Sequence, residues 1–237
     1  MKASRLSQKL HKWLGLIVGV QLLIWTVSGF YMVLMDIDMI HGDHLVAEQD
    51  NGIDLSPEIQ KVLNSVVSTS PKATSITLTR LMGRPSILVK QPYQTEVFDA
   101  HTGELIPAVD EAQANQLATS YYTGSSAIAS TTLLTKNPPS EIGGRALPLW
   151  RVNFDDAWGT TFYISPITGE LSTRRHTLWR VFDFVWMLHI MDYDERENVN
   201  NKILRTVSIL ALLLVLTGIW YLYFRLDVRG WLRRSSS

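Results

Sequence analysis

Six histidines hold most of the chemistry open to this chain: His11, His41, His44, His101, His176 and His189. There are no cysteines, so disulfides, thiolate nucleophiles, iron–sulfur clusters and cysteine zinc sites are excluded. An imidazole can ligate a metal, move a proton near neutral pH, or hold two elements together by hydrogen bonds. His41 and His44 stand three residues apart in IHGDH (40–44), with Asp43 between them. On a helix that spacing offers both rings to one transition-metal ion. Gly42 makes a turn the equal alternative, with Asp43 capping it or orienting a histidine. His189 closes an apolar run in which Trp179, Phe182, Val185, Trp186 and His189 recur at helical spacing, while Arg180, Asp183 and Met187 fall off that face. It is either a ligand or a buried histidine bonded to an acid such as Asp192 or Asp194. His11 lies among Lys9 and Lys12, two residues before Trp13, as a ligand or an interfacial residue. His101 and His176 read as solvated surface. The acidic run DYDERE (192–197) reads as a solvated connector, with a cation site or a docking face as the alternatives. No Ser/His/Asp arrangement, HExxH, P-loop or GxGxxG after a strand is found.

Two apolar runs frame these residues. Residues 13–35 and 206–224 carry no charge, and at about 1.5 Å per residue each can cross a hydrocarbon core of roughly 30 Å. Trp13, Tyr31, Trp220, Tyr221 and Tyr223 sit toward their ends as interfacial anchors. The first run is too long for a signal peptide and lacks a small-residue cleavage site, so an uncleaved anchor is expected. Lys2, Arg5, Lys9 and Lys12 precede it, and Arg225, Arg229, Arg233 and Arg234 end the chain. The positive-inside rule then places both termini in the cytoplasm. Residues 36–202 hold 13 basic and 21 acidic residues, which argues against a nucleic-acid partner. Gly15, Gly19 and Thr26 form a small-residue stripe suited to packing of the two spans or of two protomers.

Between the spans a pattern recurs: FDAHTGEL (98–105) and FYISPITGEL (162–171). Each follows two alternating stretches, SILVKQPYQTEV (86–97) and LPLWRVNFDDAWGTT (147–161), that read as strand pairs. A helix is expected over 56–67, with Ser56 as N-cap and Pro57 at the first position, and another over 110–120. The fold class expected is an α+β membrane protein, two transmembrane helices flanking a duplicated helix-plus-antiparallel-sheet domain. Residues 136–148, rich in proline and glycine, read as a spacer loop, with a mobile binding loop as the alternative.

HKWLGLIVGVQLLIWTVSGFYM, IHGDH, the two TGEL turns and WRVFDFVWMLHIMDYDE, in this order before a last span, resemble the PepSY-associated transmembrane proteins of bacteria. The resemblance implies a periplasmic PepSY-type domain over 36–176, in modules of about 50–124 and 125–176. It also implies basic cytoplasmic tails (1–12 and 225–237), spans at 13–35 and 203–224, and an interfacial amphipathic helix with an acidic connector over 177–202. Larger relatives are haem-containing membrane reductases, some acting on ferric siderophores, and the family has a histidine at the place of His11. The resemblance therefore implies a bacterial inner-membrane protein that binds haem b through His11, His44, His189 or His41, and serves iron uptake as a non-autonomous electron-transfer subunit. This chain has two spans and no flavin or nucleotide signature, so a redox partner protein or other membrane subunit, or a homodimer, is expected. The alternative is a non-enzymatic accessory protein whose PepSY domain binds a partner protein or peptide.

Overall fold

The computed structural model describes residues 2–49 and 52–225. The carboxy-terminal basic tail expected over 225–237 lies, but for Arg225, outside the described residues. The chain divides into two compact units: residues 1–36 with 181–237, and residues 37–180.

The first unit is helical. α1 (Lys2–Leu34) and α6 (Lys202–Arg225) pack against each other. They run antiparallel, because His11 near the start of α1 meets Leu214 and Tyr221 toward the end of α6. On α6 the shielded positions Leu204, Val207, Leu210, Ala211, Leu214, Thr217, Gly218 and Tyr221 recur every seven residues, 204–211–218, 207–214–221 and 210–217. Ser7, Val18 and Ser28 are the buried positions of α1. This is a narrow seam of the coiled-coil type. Most of what lies off it is apolar and exposed, including Leu16, Ile17, Val20 and Leu23 on α1 and Ile209, Leu212 and Leu216 on α6. Only 11% of the most apolar window of either helix is buried. The core helix of a water-soluble protein would bury most of such a window. Of the small-residue stripe only Gly15 faces the partner helix, at Leu214; Gly19 has open space, and Thr26 bonds back to Leu22 O. α5 (Thr177–Ile190) begins in the second unit and ends in the first.

The second unit starts with a short helix, α2 (Ile37–His41), and a 3-10 turn, Asp43–Leu45. α3 (Pro57–Thr69) is capped by the Ser56 hydroxyl, which accepts from Ile59 N–H. It precedes an antiparallel sheet in the order β1 (Ser75–Leu81), β2 (Arg84–Lys90), β3 (Thr95–Asp99). α4 (Glu111–Tyr121) starts with a capping box of Asp110 and Gln113. It precedes a second antiparallel sheet, β4 (Ile128–Leu134), β5 (Leu149–Phe154), β6 (Thr161–Ile164) and β7 (Leu171–Arg175).

The strand period of two sorts the side chains into layers. In β2, Ile87 and Val89 point to α3 and join Ile59, Val66 and Ala100. Leu88 points the other way, with Leu81 and Val97, into a larger core holding Ala114, Leu117 and Ala118 of α4 and Val152, Phe154, Phe162 and Ile164 of the second sheet. α4 thus packs between two sheets, which is why its small residues are fully buried. On the far face of the second sheet, Ile142, Leu149 and Tyr163 make a third cluster. The segment 136–148 is therefore more than a spacer: its 3-10 turn Ser140–Ile142 delivers a fully buried isoleucine.

The two TGEL turns are built alike. Gly103 N–H donates to Asp99 O, and Gly169 N–H to Ser165 O, both at 2.9 Å. The side chains of Asp99 and Ser165 each accept two backbone N–H groups, and Thr102 and Thr168 accept from Glu104 and Glu170. Both glycines have positive φ, 74° and 67°. A side chain at Gly169 would also collide with Leu81 and reach 3.2 Å from Leu117 in the central core. Gly169→Ala is therefore expected to destabilise by about 3 kcal/mol. Gly83→Ala, at φ 76° with open space around it, is expected to cost only the left-handed strain of about 1 kcal/mol. Thermal unfolding of the two purified full-length variants checks the ranking.

Candidate functional site

Each end of the helical unit holds one histidine on a prepared seat. His11 Nδ1 lies 3.2 Å from Leu214 O. A carbonyl only accepts, so Nδ1 carries the proton, and in the neutral ring Nε2 keeps its lone pair. The ring stacks on Tyr221 at 6.5 Å and lies against Gly218, where a Cβ would come 3.0 Å from Cε1. A Cβ at Gly218 would press against the imidazole and require it to shift.

His189 lies in the last turn of α5, where the final carbonyls lack helical partners. Trp25 Nε1–H supplies one, donating to His189 O at 2.6 Å, and Asn201 Nδ2 supplies Ile190 O at 2.9 Å. His189 Nδ1 is 2.8 Å from Ser28 Oγ, which is itself 2.7 Å from Ile24 O. A serine in an apolar helix donates to the carbonyl four residues back, so Nδ1–H of His189 donates to Ser28. Nε2 is again the free lone pair, and no hydrogen bond from the described residues meets it. Gly29 leaves room for this ring too, with a would-be Cβ 3.4 Å from Cε1. Ser28 lies seventeen residues after His11 on α1, about 25 Å along the axis.

These contacts correct one reading and refine another. The partner of His189 is Ser28, not Asp192 or Asp194: Asp192 Oδ2 instead accepts from Glu197 N–H and Asn198 N–H. The acidic run is a loop tied to α5, because Arg196 pairs with Asp183 and Trp186 Nε1–H donates to Arg196 O, while Asp194, Glu195 and Glu197 are exposed as expected. On α5 Trp179, Phe182, Val185, Trp186 and His189 are all partly shielded, as their spacing predicts, and Val181 and Phe184 are exposed; only Met187, read as lying off that face, departs by being buried.

The remaining histidines belong to the sheet unit. His176, expected on the surface, is 2% exposed. Its Nε2–H donates to Ile40 O at 3.1 Å and its ring meets the edge of His44, centroids 6.0 Å apart. Gly42 permits this, since a Cβ there would come 3.1 Å from the His176 ring. His41 contributes its carbonyl, which accepts from Arg174 Nε, and Arg174 also pairs with Asp43. IHGDH is thus a turn docked on β7. His41, Asp43 and His44 are exposed, and no cluster of three or more metal-ligating side chains occurs among the described residues. His101 is exposed in its turn, as expected.

Behind β7 lies a polar cluster the sequence does not advertise. Glu141 accepts from Arg180 at 2.7 Å and from Tyr163 Oη at 2.6 Å, and Arg175 Nε donates to Glu141 O. Arg175 also sits 3.8 Å over the Trp179 ring. Burial pushes the Glu141 carboxyl up, but the hydrogen bonds from Arg180 and Tyr163 outweigh it and hold the group below its usual range. Burial, and then Glu141, push the Tyr163 phenol up. The cluster fixes the 136–148 segment to the first turn of α5.

Burial holds the His176 imidazole below the ordinary histidine range, with His44 acting the same way against the bond to Ile40 O. The unfolded chain therefore binds the proton first. The stability from this contact is complete above about pH 6.5 and is lost as pH falls through the lower folded value. Hydrogen exchange of residues 37–45, corrected for the intrinsic rate, is expected to accelerate between pH 7 and 5 in the native protein and to lose that pH dependence in His176→Phe.

The family model described as PepSY-associated TM region matches residues 8–237. No curated protein and no solved structure matches the chain.

Proposed function

Because the chain belongs to the PepSY-associated transmembrane family and is a two-pass membrane protein, we propose that it is a haem b-binding electron-transfer subunit of the bacterial inner membrane. One observation carries the reading. Two histidines at opposite ends of one hairpin have Nδ1 committed to a protein acceptor, so each neutral ring keeps its Nε2 lone pair for a metal. Binding through one nitrogen while the other donates a hydrogen bond is how ligating imidazoles are commonly held.

The donor chemistry fits haem iron, which accepts axial imidazole. Haem would supply a one-electron carrier at each end of the span. The chain's own residues do the rest. Leu214 O and Ser28 Oγ orient the rings, and Gly218 and Gly29 leave them room. Among the described residues each end offers one such imidazole, and a homodimer partner or a different membrane subunit would complete the site. His41 and His44, exposed in a docked turn, are not needed in this reading. The basic tails support, by the positive-inside rule, a reading in which both termini lie in the cytoplasm and the sheet unit, as a duplicated PepSY-type domain, in the periplasm. There the protein would pass electrons toward an iron or flavin acceptor, with the donor on a separate protein.

A second reading has its own observation. The sheet unit has two open clefts on either side of Met82, of about 410 and 550 Å3, one lined by Gln49, Arg80, Gln116 and Tyr121, the other by Arg84, Asp99, Glu104 and Gln113. They are suited to a peptide or partner protein, the role of a non-enzymatic accessory.

Reduced-minus-oxidised spectra of protein purified from haem-sufficient membranes decide between them. The redox reading expects a Soret and α-band signal that falls at least severalfold in His11→Ala and in His189→Ala. A colourless folded protein, or a signal indifferent to both substitutions, would contradict it.

A further inference from the structure

The edge of a sheet is a row of unpaired N–H and C=O groups, which proteins blunt with charge, bulges or a covering segment. The two sheets of residues 37–180 have four edges. β3 is covered, since Leu105 bridges to Phe98 and Ile106 N–H donates to Val97 O. β7 carries Arg174 and Arg175, and Arg174 is tied to His41 O and Asp43. β1 carries Arg80, whose guanidinium bonds Gly52 O and Gly83 O.

β4 differs from all three. Its sequence, IASTTLL, has no charge, and neither has any residue from 112 to 135. Among the described residues only β5 and its flank hydrogen-bond to the β4 backbone. Ala129, Ser130, Thr132 and Leu133 are exposed. A bulge disturbs only Ile128–Ser130 and leaves Ser130–Leu134 in regular register.

The strand is also complementary to itself. Laid antiparallel about Thr131, it sets Thr131 opposite Thr131, Ser130 opposite Thr132 and Ala129 opposite Leu133. Hydroxyl meets hydroxyl, apolar meets apolar, and no like charges oppose; such pairs stabilise antiparallel strands. Copies anchored by two membrane helices are confined to one surface, which raises their effective concentration, so a short interface is enough.

We propose that β4 is a joining edge between two copies of this chain, paired antiparallel about Thr131 into one eight-stranded sheet. The inference does not rest on the haem reading, and its test is independent of any bound cofactor.

The absence of native cysteine makes the test clean. Residues opposed across an antiparallel pair have Cα atoms about 4.5–5.5 Å apart, within disulfide reach. Mild oxidation of full-length Thr131→Cys in its native membrane is expected to give a covalent dimer. Ser75→Cys, exposed on the β1 edge, is expected to give at least tenfold less. Adding Thr132→Lys, which sets two lysines near the two-fold axis, is expected to reduce the Thr131→Cys dimer at least tenfold. Co-expressed Ser130→Cys and Thr132→Cys chains ask the same question without disturbing the bond between Thr131 and Asn115. Absent cross-links in both designs, equal cross-linking at Ser75, or indifference to Thr132→Lys would overturn the proposal. So would a monomer whose β4 amides gain exchange protection only with a different protein.

Discussion

Hydrocarbon offers no water, so a polar group on a membrane helix must find its partner within the protein. That constraint organises the helical unit. Thr26, Thr206, Ser208 and Thr217 bond back to the carbonyl four residues earlier. His11, Trp25 and His189 instead bond between helices, and Ser28 does both. Such interhelical bonds are worth about 1 kcal/mol each, too little to hold a hairpin alone but enough to choose its register. The two imidazoles are fixed as a by-product, each with one nitrogen used. Gln21 Nε2 and Tyr31 Oη break the pattern, being buried without a partner among the described residues.

The sheet unit follows a different economy, in which layers of apolar side chains do the holding and charge closes the edges. Ile87 and Val89 serve one layer and Leu88 the next, so one strand supports two cores. The pair of Glu141 and Arg180 sits at a rim, and its geometry rather than its Coulomb energy matters. With Arg180 34% exposed, solvent screens much of the attraction. What the cluster secures is the placement of the first turn of α5.

Much of this was legible in the sequence because it rests on local rules. The spans follow from length and the absence of charge. Both helices of the sheet unit follow from their starts, Ser56 with Pro57 in one and the acids Asp110 and Glu111 in the other, and β2, β3 and β5 from alternation. β1 and its turn were not read, since Met82 and Gly83 both take left-handed angles, φ 52° and 76°, and methionine is an unusual choice there. The misreadings share a cause. His176 follows two arginines and reads as surface, yet both arginines turn aside to Glu141 O and Asp43 and leave the ring to the core. Ser28 gives no signal, because one serine in an apolar helix bonds equally well to its own backbone. The acids after Ile190 read as solvent-seeking, whereas Asp192 organises the loop by accepting its N–H groups. Tertiary partners decided each case, and no local pattern reports them.

The central claim is that the protein presents two imidazoles, at His11 and His189, each protonated on Nδ1 and bare on Nε2. Solid-state 15N NMR of histidine-labelled protein in bilayers, before any haem is supplied, reads the tautomer of each ring directly. The expected result is Nδ1–H with an unprotonated Nε2 at both positions, assigned by the loss of each signal in His11→Ala and His189→Ala. An Nε2–H tautomer at either ring would mean that its lone pair points at Leu214 or Ser28, and would contradict the claim.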